Sequence, residues 1–320
     1  MSPLAITGFS YHTVPVSTDV NLNVAVGGAG SPVVLLHGFP QTHLMWRHVA
    51  PALAHRHTVI CPDLRGYGAS DKPAAAEDSY SKRTMANDVV ALASHFGHER
   101  FALVGHDRGA LVAIRTGLDH PPRVTHLASL DVLPTVDMWE ILRGEAAAVA
   151  FHLYLMAQPP GLPERMIKAS ADEFFGHFLD AWCLHPEAIP AQVRAEYLRA
   201  SEAAVDSIVA DYRASAGIDL AHDRADRAAG RVLTMPVTVL QQDWGAALGY
   251  DAEQLWRAWA PDLDHRIQPL GHFMAEESPD AVVEAITKLL ERQNQASSTS
   301  SVVRSRLASR SNWGPTLGSS

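Results

Sequence analysis

The residue with the clearest capacity for chemistry is Asp107, at the centre of the turn sequence Gly-His-Asp-Arg-Gly. An apolar run, Phe101 to Val104, precedes this turn, and a helix-like segment, Ala110 to Leu118, follows it. The two glycines permit a turn so tight that the middle side chain stands clear of both elements. A carboxylate held in this way can displace a leaving group from an sp³ carbon and become an ester of that carbon. Asp is also a common helix N-cap, but this setting favours a nucleophile.

Hydrolysis of such an ester requires a general base, and His272 is the candidate. It stands in Leu-Gly-His-Phe, after the last predicted strand. The chain contains 17 histidines, so residue type alone singles out none of them. The position of His272, late in the chain and at the end of a strand, matches the chain order of nucleophile, acid and base in hydrolases built on parallel sheets.

A third group, an acid, should orient the imidazole and stabilise its cationic form. Asp131 follows the predicted strand Val124 to Leu130, and Asp243 follows the predicted strand Val237 to Leu240. Either strand end can bring a carboxylate to the same imidazole, so the residues alone leave both acids open.

The same ester hydrolysis needs hydrogen-bond donors for a developing oxyanion. The loop His-Gly-Phe-Pro at 37–40 follows the apolar run Val33 to Leu36. We expect the backbone N–H groups of Phe39 and of Arg108, the residue after the nucleophile, to form this oxyanion hole.

Strand-like and helix-like segments alternate on both sides of a long helical stretch. The predicted strands are 6–16, 20–26, 33–36, 58–61, 101–104, 124–130, 237–240 and 266–270, and the predicted helices outside the stretch are 44–53, 84–96, 110–118, 251–259 and 279–290. Short continuous apolar runs are typical of parallel strands buried on both faces. The chain is therefore predicted to be an α/β protein with the α/β-hydrolase fold, a mostly parallel, doubly wound sheet carrying an inserted helical cap. We expect the core in 1–132 and 231–292, the cap in 133–230 and a disordered tail over 293–320.

The composition of the chain limits the classes of function that it can have. The chain has 320 residues, a net charge of −9 and two cysteines, which argues against a general nucleic-acid binder and against a disulfide framework. Neither a signal peptide nor an apolar run of membrane-spanning length stands out. We expect a cytoplasmic enzyme with a small-molecule substrate, no nucleic-acid or membrane partner, and no metal, nucleotide or organic cofactor.

Several motifs together resemble those of the haloacetate (fluoroacetate) dehalogenases, over about Phe9 to Leu290. They are the segments 37–41 (HGFPQ), 63–73 (DLRGYGASDKP), 105–110 (GHDRGA), 118–121 (LDHP), 211–214 (DYRA) and 271–273 (GHF). The resemblance implies a homodimer and an acid directly after the strand that follows the nucleophile, which favours Asp131 over Asp243. The first loop and the turn also resemble epoxide hydrolases, which share the aspartate mechanism and the cap.

Two cap positions separate these families. Epoxide hydrolases hold the epoxide oxygen with two cap tyrosines, whereas this chain has His152 at the first place and Tyr212 at the second. The resemblance implies that His152 and Tyr212 cradle the departing halide and that Arg108 binds a substrate carboxylate. Fluoride leaves poorly unless hydrogen bonds meet its developing charge, so such donors suit the chemistry.

Two other positions depart from the dehalogenase pattern. Leu111 stands where the family has a second carboxylate-binding Arg, and Leu153 stands where it has a halide-binding Trp. Losing a charge-assisted hydrogen bond costs roughly 1.5–3 kcal/mol. We therefore predict weak activity on fluoroacetate, or a larger and less polar substrate. Trp139, Tyr154 and Trp182 are possible replacement donors, although cap packing is the role favoured for them.

The main prediction is hydrolysis of carbon–halogen bonds in small haloacids by Asp107, His272 and Asp131. One alternative is epoxide hydrolysis by the same residues. A second, from another class, is a non-catalytic ligand-binding protein of this fold, which would tolerate loss of Asp107 or His272. The absence of Gly-x-Ser-x-Gly from the chain disfavours a serine-type esterase.

Overall fold

Eight strands and a set of mostly short helices make up residues 4–76 and 78–292, which are the residues described in a computed structural model of the chain. The strands are β1 (Ser10–Ser17), β2 (Val20–Gly27), β3 (Ser31–Leu36), β4 (His57–Pro62), β5 (Phe101–His106), β6 (Val124–Leu130), β7 (Val237–Gln241) and β8 (Leu263–Ile267). The helices are α1 (Val49–Ala54), α2 (Lys82–His95), α3 (Arg108–Asp119), α4 (Thr135–Ile141), α5 (Phe151–Met156), α6 (Leu162–Lys168), α7 (Ala171–Ala181), α8 (Ala191–Glu202), α9 (Val205–Ala216), α10 (Ile218–Ala228), α11 (Trp244–Leu248), α12 (Ala252–Arg257), α13 (Met274–Glu277) and α14 (Pro279–Glu291). Short 3-10 turns lie at His43–Trp46, Gly144–Ala148 and Pro186–Ala188.

The strands form one sheet in the order β1-β2-β4-β3-β5-β6-β7-β8. β1, β2 and β4 pair in antiparallel fashion, and the pairs from β4 through β8 are parallel. Alternate residues of β3 enter different cores, Val33 and Leu35 on one side and Val34 and Leu36 on the other. The predicted doubly wound, mostly parallel sheet is therefore observed, and apolar runs buried on both faces explain it.

Three predicted elements differ from those observed. The first strand, predicted over 6–16, begins only at Ser10, because residues 7 and 8 form a turn. The helix expected over 44–53 is divided into α1 and a preceding 3-10 turn, whose start is fixed by the Thr42 cap and by the hydrogen bond from the His43 N–H to Asp63. The last strand is Leu263–Ile267 rather than 266–270. This edge strand carries Asp-His-Arg at 264–266, so it lacks the apolar run that identifies the central strands, and Pro269 cannot donate to a ladder.

Helices α4 to α10 lie between β6 and β7 and supply the stretch predicted as a cap. Buried ion pairs fasten this stretch to the core: Arg115 on α3 binds Asp223 at 2.6 Å and Asp226 at 2.5 Å, both on α10. The division at residues 132 and 230 stays a prediction, and the predicted tail, 293–320, lies outside the described residues. Among residues 4–76 and 78–292, no helix is long and apolar enough to cross a bilayer.

Candidate active site

Asp107 occupies the junction of β5 and α3 with φ 48° and ψ −116°. The two flanking glycines make this turn possible: a Cβ at Gly105 would lie 2.5 Å from Cα of Ala110, and one at Gly109 would lie 2.5 Å from the carbonyl oxygen of Leu36. A positive φ at a non-glycine residue is a strained conformation of the kind that clusters at functional sites. The strain presents the Asp107 carboxylate at the carboxyl edge of the sheet.

The two carboxylate oxygens of Asp107 have different surroundings. Oδ1 accepts a hydrogen bond of 2.8 Å from the backbone N–H of Phe39, one of the two predicted oxyanion donors. The other predicted donor, the N–H of Arg108, belongs to the first residue of α3, where a helix leaves its N–H groups without internal acceptors. Oδ2 lies 4.0 Å from Nε2 of His272.

His272 and Asp131 are joined by a 2.7 Å hydrogen bond between Nδ1 and Oδ2. Asp131 is the second non-glycine residue with positive φ, 52°. Its oxygens also accept from Gln242, from the backbone N–H at 2.8 Å and the side-chain amide at 2.6 Å. Asp243 instead accepts from the N–H of Ala246 and caps α11. The structure thus brings Asp131, and not Asp243, to the imidazole.

The surroundings of His272 set its protonation. Burial lowers the pKa of His272, but the hydrogen bond and charge of Asp131, followed by the charge of Asp107, outweigh burial and leave the pKa above 6.5. The backbone carbonyl of His272 accepts a 2.8 Å hydrogen bond from Nε2 of His106. Burial keeps the pKa of His106 well below 6.5, so this second imidazole is a neutral support that the sequence pattern did not single out.

A cavity of about 120 Å³ collects the remaining predicted residues. Arg108, Leu111, His152, Leu153 and Tyr212 all line it, together with the catalytic candidates. Most of the other lining residues are apolar, as is typical of small-molecule sites.

Arg108 is fully buried and already paired within the protein. Its Nε and Nη2 bind the Asp211 carboxylate at 2.8 and 2.9 Å, and Nη2 also donates to the Ser215 hydroxyl at 2.7 Å. The guanidinium lies 4.1 Å from the centroid of the Tyr212 ring. Asp211 was not predicted as a functional residue, although the quoted DYRA motif contains it. Only Nη1 remains to meet a ligand, since it makes no hydrogen bond to the part of the chain described here.

His152 and Tyr212 are neutral groups at the cavity wall. Burial, followed by the charge of Arg108, lowers the pKa of His152 to about 3. Burial and the charge of Asp107 raise the pKa of the Tyr212 hydroxyl well above 10. The centroids of the His152 and Tyr212 rings lie 5.5 Å apart. Both side chains can therefore offer an N–H or O–H hydrogen without carrying charge.

Of the three aromatic residues considered as replacement donors, two are hydrogen-bonded to backbone carbonyls and one lines the cavity. Trp139 donates its N–H to the carbonyl of Ser215 at 3.1 Å, and Tyr154 donates its hydroxyl to the carbonyl of Leu142 at 2.6 Å. Both are therefore engaged in the cap. Trp182 lines the cavity, with its ring 4.9 Å from that of His272.

Comparison with known proteins places this geometry in a family. The family model for the alpha/beta hydrolase fold matches residues 31–279. A fluoroacetate dehalogenase of a Burkholderia species is 39% identical over 291 residues, which cover 88% of this chain and 94% of that protein. A soluble epoxide hydrolase of Corynebacterium sp. strain C12 is 32% identical over 292 residues, covering 88% and 97%.

Among solved structures, the chain is similar to a protein of Nostoc sp. PCC 7120 assigned to the alpha/beta hydrolases, with a TM-score of 0.86 at 40% identity, covering 90% of this chain and 100% of that one. The predicted fold class is confirmed. Because the family model spans most of the chain and the dehalogenase relative covers nearly all of it, this chain belongs to the α/β-hydrolase family.

Proposed function

We propose that the protein hydrolyses the carbon–halogen bond of small 2-haloacids through an ester on Asp107. The observation that carries this proposal is the unequal setting of the Asp107 oxygens. Oδ1 accepts from the Phe39 N–H at 2.8 Å, and Oδ2 lies 4.0 Å from Nε2 of His272, which has no hydrogen-bond partner within residues 4–76 and 78–292. The similarity to a fluoroacetate dehalogenase supports the same reaction class.

In the first step, Oδ2 of Asp107 attacks the halogen-bearing carbon from the side opposite the halogen. A carbon–oxygen bond forms, the carbon–halogen bond breaks, and the halide leaves with the bonding electrons. His152 and Tyr212, both neutral and both on the cavity wall, donate hydrogen bonds to that halide. Nη1 of Arg108 meets the substrate carboxylate, and the guanidinium charge stabilises it.

In the second step, water attacks the carbonyl carbon of the Asp107 ester. Nε2 of His272 takes the water proton, while Asp131 holds Nδ1–H and stabilises the imidazolium. The developing oxyanion is Oδ1, which the N–H groups of Phe39 and Arg108 stabilise. The ester bond then breaks, and the 2-hydroxyacid leaves with the proton from His272. The second water proton, left on the Asp107 carboxyl, passes to solvent and regenerates the carboxylate.

Epoxide hydrolysis is the second candidate, because the neutral donors His152 and Tyr212 can also meet an epoxide oxygen, and an epoxide hydrolase is 32% identical over most of the chain. The two candidates differ in the adduct that they leave on Asp107.

The test is the intact mass of a His272→Gln variant after exposure to haloacetates, 2-haloacids and small epoxides. Without its base the enzyme should stall as the ester, so a carboxyalkyl adduct is expected, and Asp107→Asn should carry none. The exposed His185, replaced by Gln, is the matched control and should turn over without accumulating an adduct. A hydroxyalkyl adduct from epoxides alone would assign the second candidate. No adduct on folded protein would refute a nucleophilic Asp107.

A further inference from the structure

The cavity is larger and more apolar than a two-carbon acid requires. Its volume of about 120 Å³ is several times the roughly 10–15 Å³ that one water needs on the same measure. Most of its polar groups lie on residues already given chemical roles, and two others, Gln241 and Tyr250, are hydrogen-bonded to each other at 3.2 Å. Apolar side chains from several elements form much of the remaining wall. These include Leu111 of α3, Val132 and Leu133 of the loop after β6, Met138 of α4 and Leu153 of α5.

The apolar wall begins beside the reacting groups. Leu111 is one helical turn beyond Arg108 on α3, and Leu153 directly follows His152 on α5. Leu111 and Leu153 are each only 3% exposed. Towards solvent the cavity reaches Val149, which is 40% exposed. A substrate carbon bound next to Asp107 therefore has an apolar surface beside it that continues outward.

Polar recognition at the reacting end is limited. Asp211 and Ser215 already accept the Nε and Nη2 hydrogens of Arg108. A substrate carboxylate therefore binds Nη1 alone and cannot form the usual bidentate pair with the guanidinium. Leu111 offers no second donor. Binding of a carboxylate substrate must therefore draw on apolar contacts.

From this arrangement we infer that the cavity contains an apolar subsite, bordered by Leu111, Met138 and Leu153, which receives an alkyl substituent on C2 of the substrate. The inference rests on the proposed function and specifies its substrate class as 2-haloalkanoic acids longer than haloacetate. Each methylene placed in the subsite should raise kcat/KM about fourfold, the equivalent of about 0.8 kcal/mol.

The test is halide release by the wild-type enzyme from 2-bromopropanoate, 2-bromobutanoate and 2-bromopentanoate, with bromoacetate as the short reference. The three substituted acids react at the same kind of secondary carbon, so their ratio isolates the contribution of the chain. We expect kcat/KM to rise along the series and KM for bromoacetate to be the highest. A flat or falling series, with bromoacetate preferred, would overturn the subsite and leave the proposed function intact. Absence of bromide from every acid, with no adduct on His272→Gln, would instead overturn the proposed function.

A pair of leucines on one helix locates the subsite. Leu111 and Leu118 are both on α3 and both 3% exposed, but only Leu111 lines the cavity. Leu111→Ala should compress the ratio of kcat/KM between 2-bromopentanoate and 2-bromopropanoate by about threefold or more, whereas Leu118→Ala should leave it within about twofold. Equal effects of the two substitutions on the ratio would contradict the assignment.

Replacing Leu111 by Arg should have the opposite effect, because it adds a second donor for the substrate carboxylate. Leu111→Arg places a cation beside Nη1 of Arg108 and fills the apolar space. It should raise kcat/KM for bromoacetate about tenfold through a charge-assisted hydrogen bond and lower it for 2-bromopentanoate. Greater activity of Leu111→Arg on both acids would argue against an alkyl chain at this place.

Discussion

At the scale of single residues, the site depends on hydrogen bonds that hold a charged carboxylate still. Asp131 accepts from His272 and twice from Gln242. The hydrogen bond and charge of Asp131 keep the pKa of His272 above its ordinary value of 6.5 despite burial. Gln242 thus acts on His272 through Asp131.

The contacts from Gln242 through Asp131 to His272 predict opposite shifts in the pH dependence of ester hydrolysis for two variants. Only neutral His272 can accept the water proton, so the acid limb of ester hydrolysis follows the pKa of His272. Asp131→Asn removes the charge that raises this pKa, so the limb should move to lower pH while kcat falls by roughly a hundredfold or more because imidazole orientation is lost.

Gln242→Leu removes one donor to Asp131 and makes that carboxylate a stronger acceptor. The limb should therefore move to higher pH, by roughly half a unit to one unit, with a small loss of kcat. Single-turnover decay of the ester between pH 5 and pH 9 measures both variants. Shifts in the same direction would show that Asp131 does not set the pKa of His272.

At the scale of elements, α13 and the end of α7 hold the base in place. The half-buried carboxylate of Glu277 accepts from the N–H groups of Leu184 at 2.9 Å, His185 at 3.1 Å, Phe273 at 3.2 Å and Gly271 at 3.3 Å. The carbonyl of Trp182 accepts from the N–H of His272 at 2.8 Å. One acidic side chain therefore links the segment after α7 to the loop that carries the base.

Replacing Glu277 should slow the step that needs a well-placed base more than the step that does not. In Glu277→Ala we expect a normal burst of halide followed by steady turnover about tenfold slower, because His272 is displaced by a fraction of an ångström. Glu277→Gln keeps one acceptor and should recover part of the rate. The exposed Glu284, replaced by Gln, is the control and should leave both phases unchanged. An equal decrease in burst and steady rates would indicate general destabilisation.

The helices and strands were largely predictable from the sequence, whereas most of the side-chain contacts between them were not. Continuous apolar runs identify β3 and β5, because a strand buried on both faces is mostly apolar. The Gly-x-Asp-x-Gly turn after β5 predicts the position of Asp107 for the same local reasons. The partners of Arg108, Asp131 and the base-bearing loop lie far away along the chain, and no periodicity joins Asp211 to Arg108. Such pairings arise only when distant segments pack together: α9 brings Asp211 to Arg108, and the end of β7 brings Gln242 to Asp131.

At the scale of the whole molecule, buried charges hold the cap on the core. The Asp211 carboxylate on α9 accepts hydrogen bonds from Arg108, from Lys82 of α2 and from the hydroxyl of Tyr67, the last at 2.6 Å. Asp211 itself is completely buried. A second buried carboxylate, Asp219 of α10, lies 3.9 Å from Nζ of Lys82, so two cations and two carboxylates balance within this cluster.

Removing the shared carboxylate should destabilise the protein strongly. Asp211→Asn leaves Arg108 buried without its counterion and Lys82 with Asp219 alone, 3.9 Å away, and breaking a buried ion pair typically costs about 3–5 kcal/mol. Asp206, on the same helix, pairs with Lys168 at 2.7 Å on the surface, so Asp206→Asn should cost at most about 1 kcal/mol. Urea unfolding at pH 7 measures both variants.

The difference between wild type and Asp211→Asn should itself depend on pH. Although burial opposes it, the charges of Arg108 and Lys82 and their hydrogen bonds hold the pKa of Asp211 far below its ordinary value of 3.8. A depressed pKa contributes stability that is fully present above the unfolded pKa and is lost as pH falls towards the folded value. The difference in unfolding free energy should therefore be constant from pH 7 down to about pH 5 and shrink below about pH 4. A difference that grew on acidification would mean that Asp211 is neutral in the folded protein and that the cap is held by other contacts.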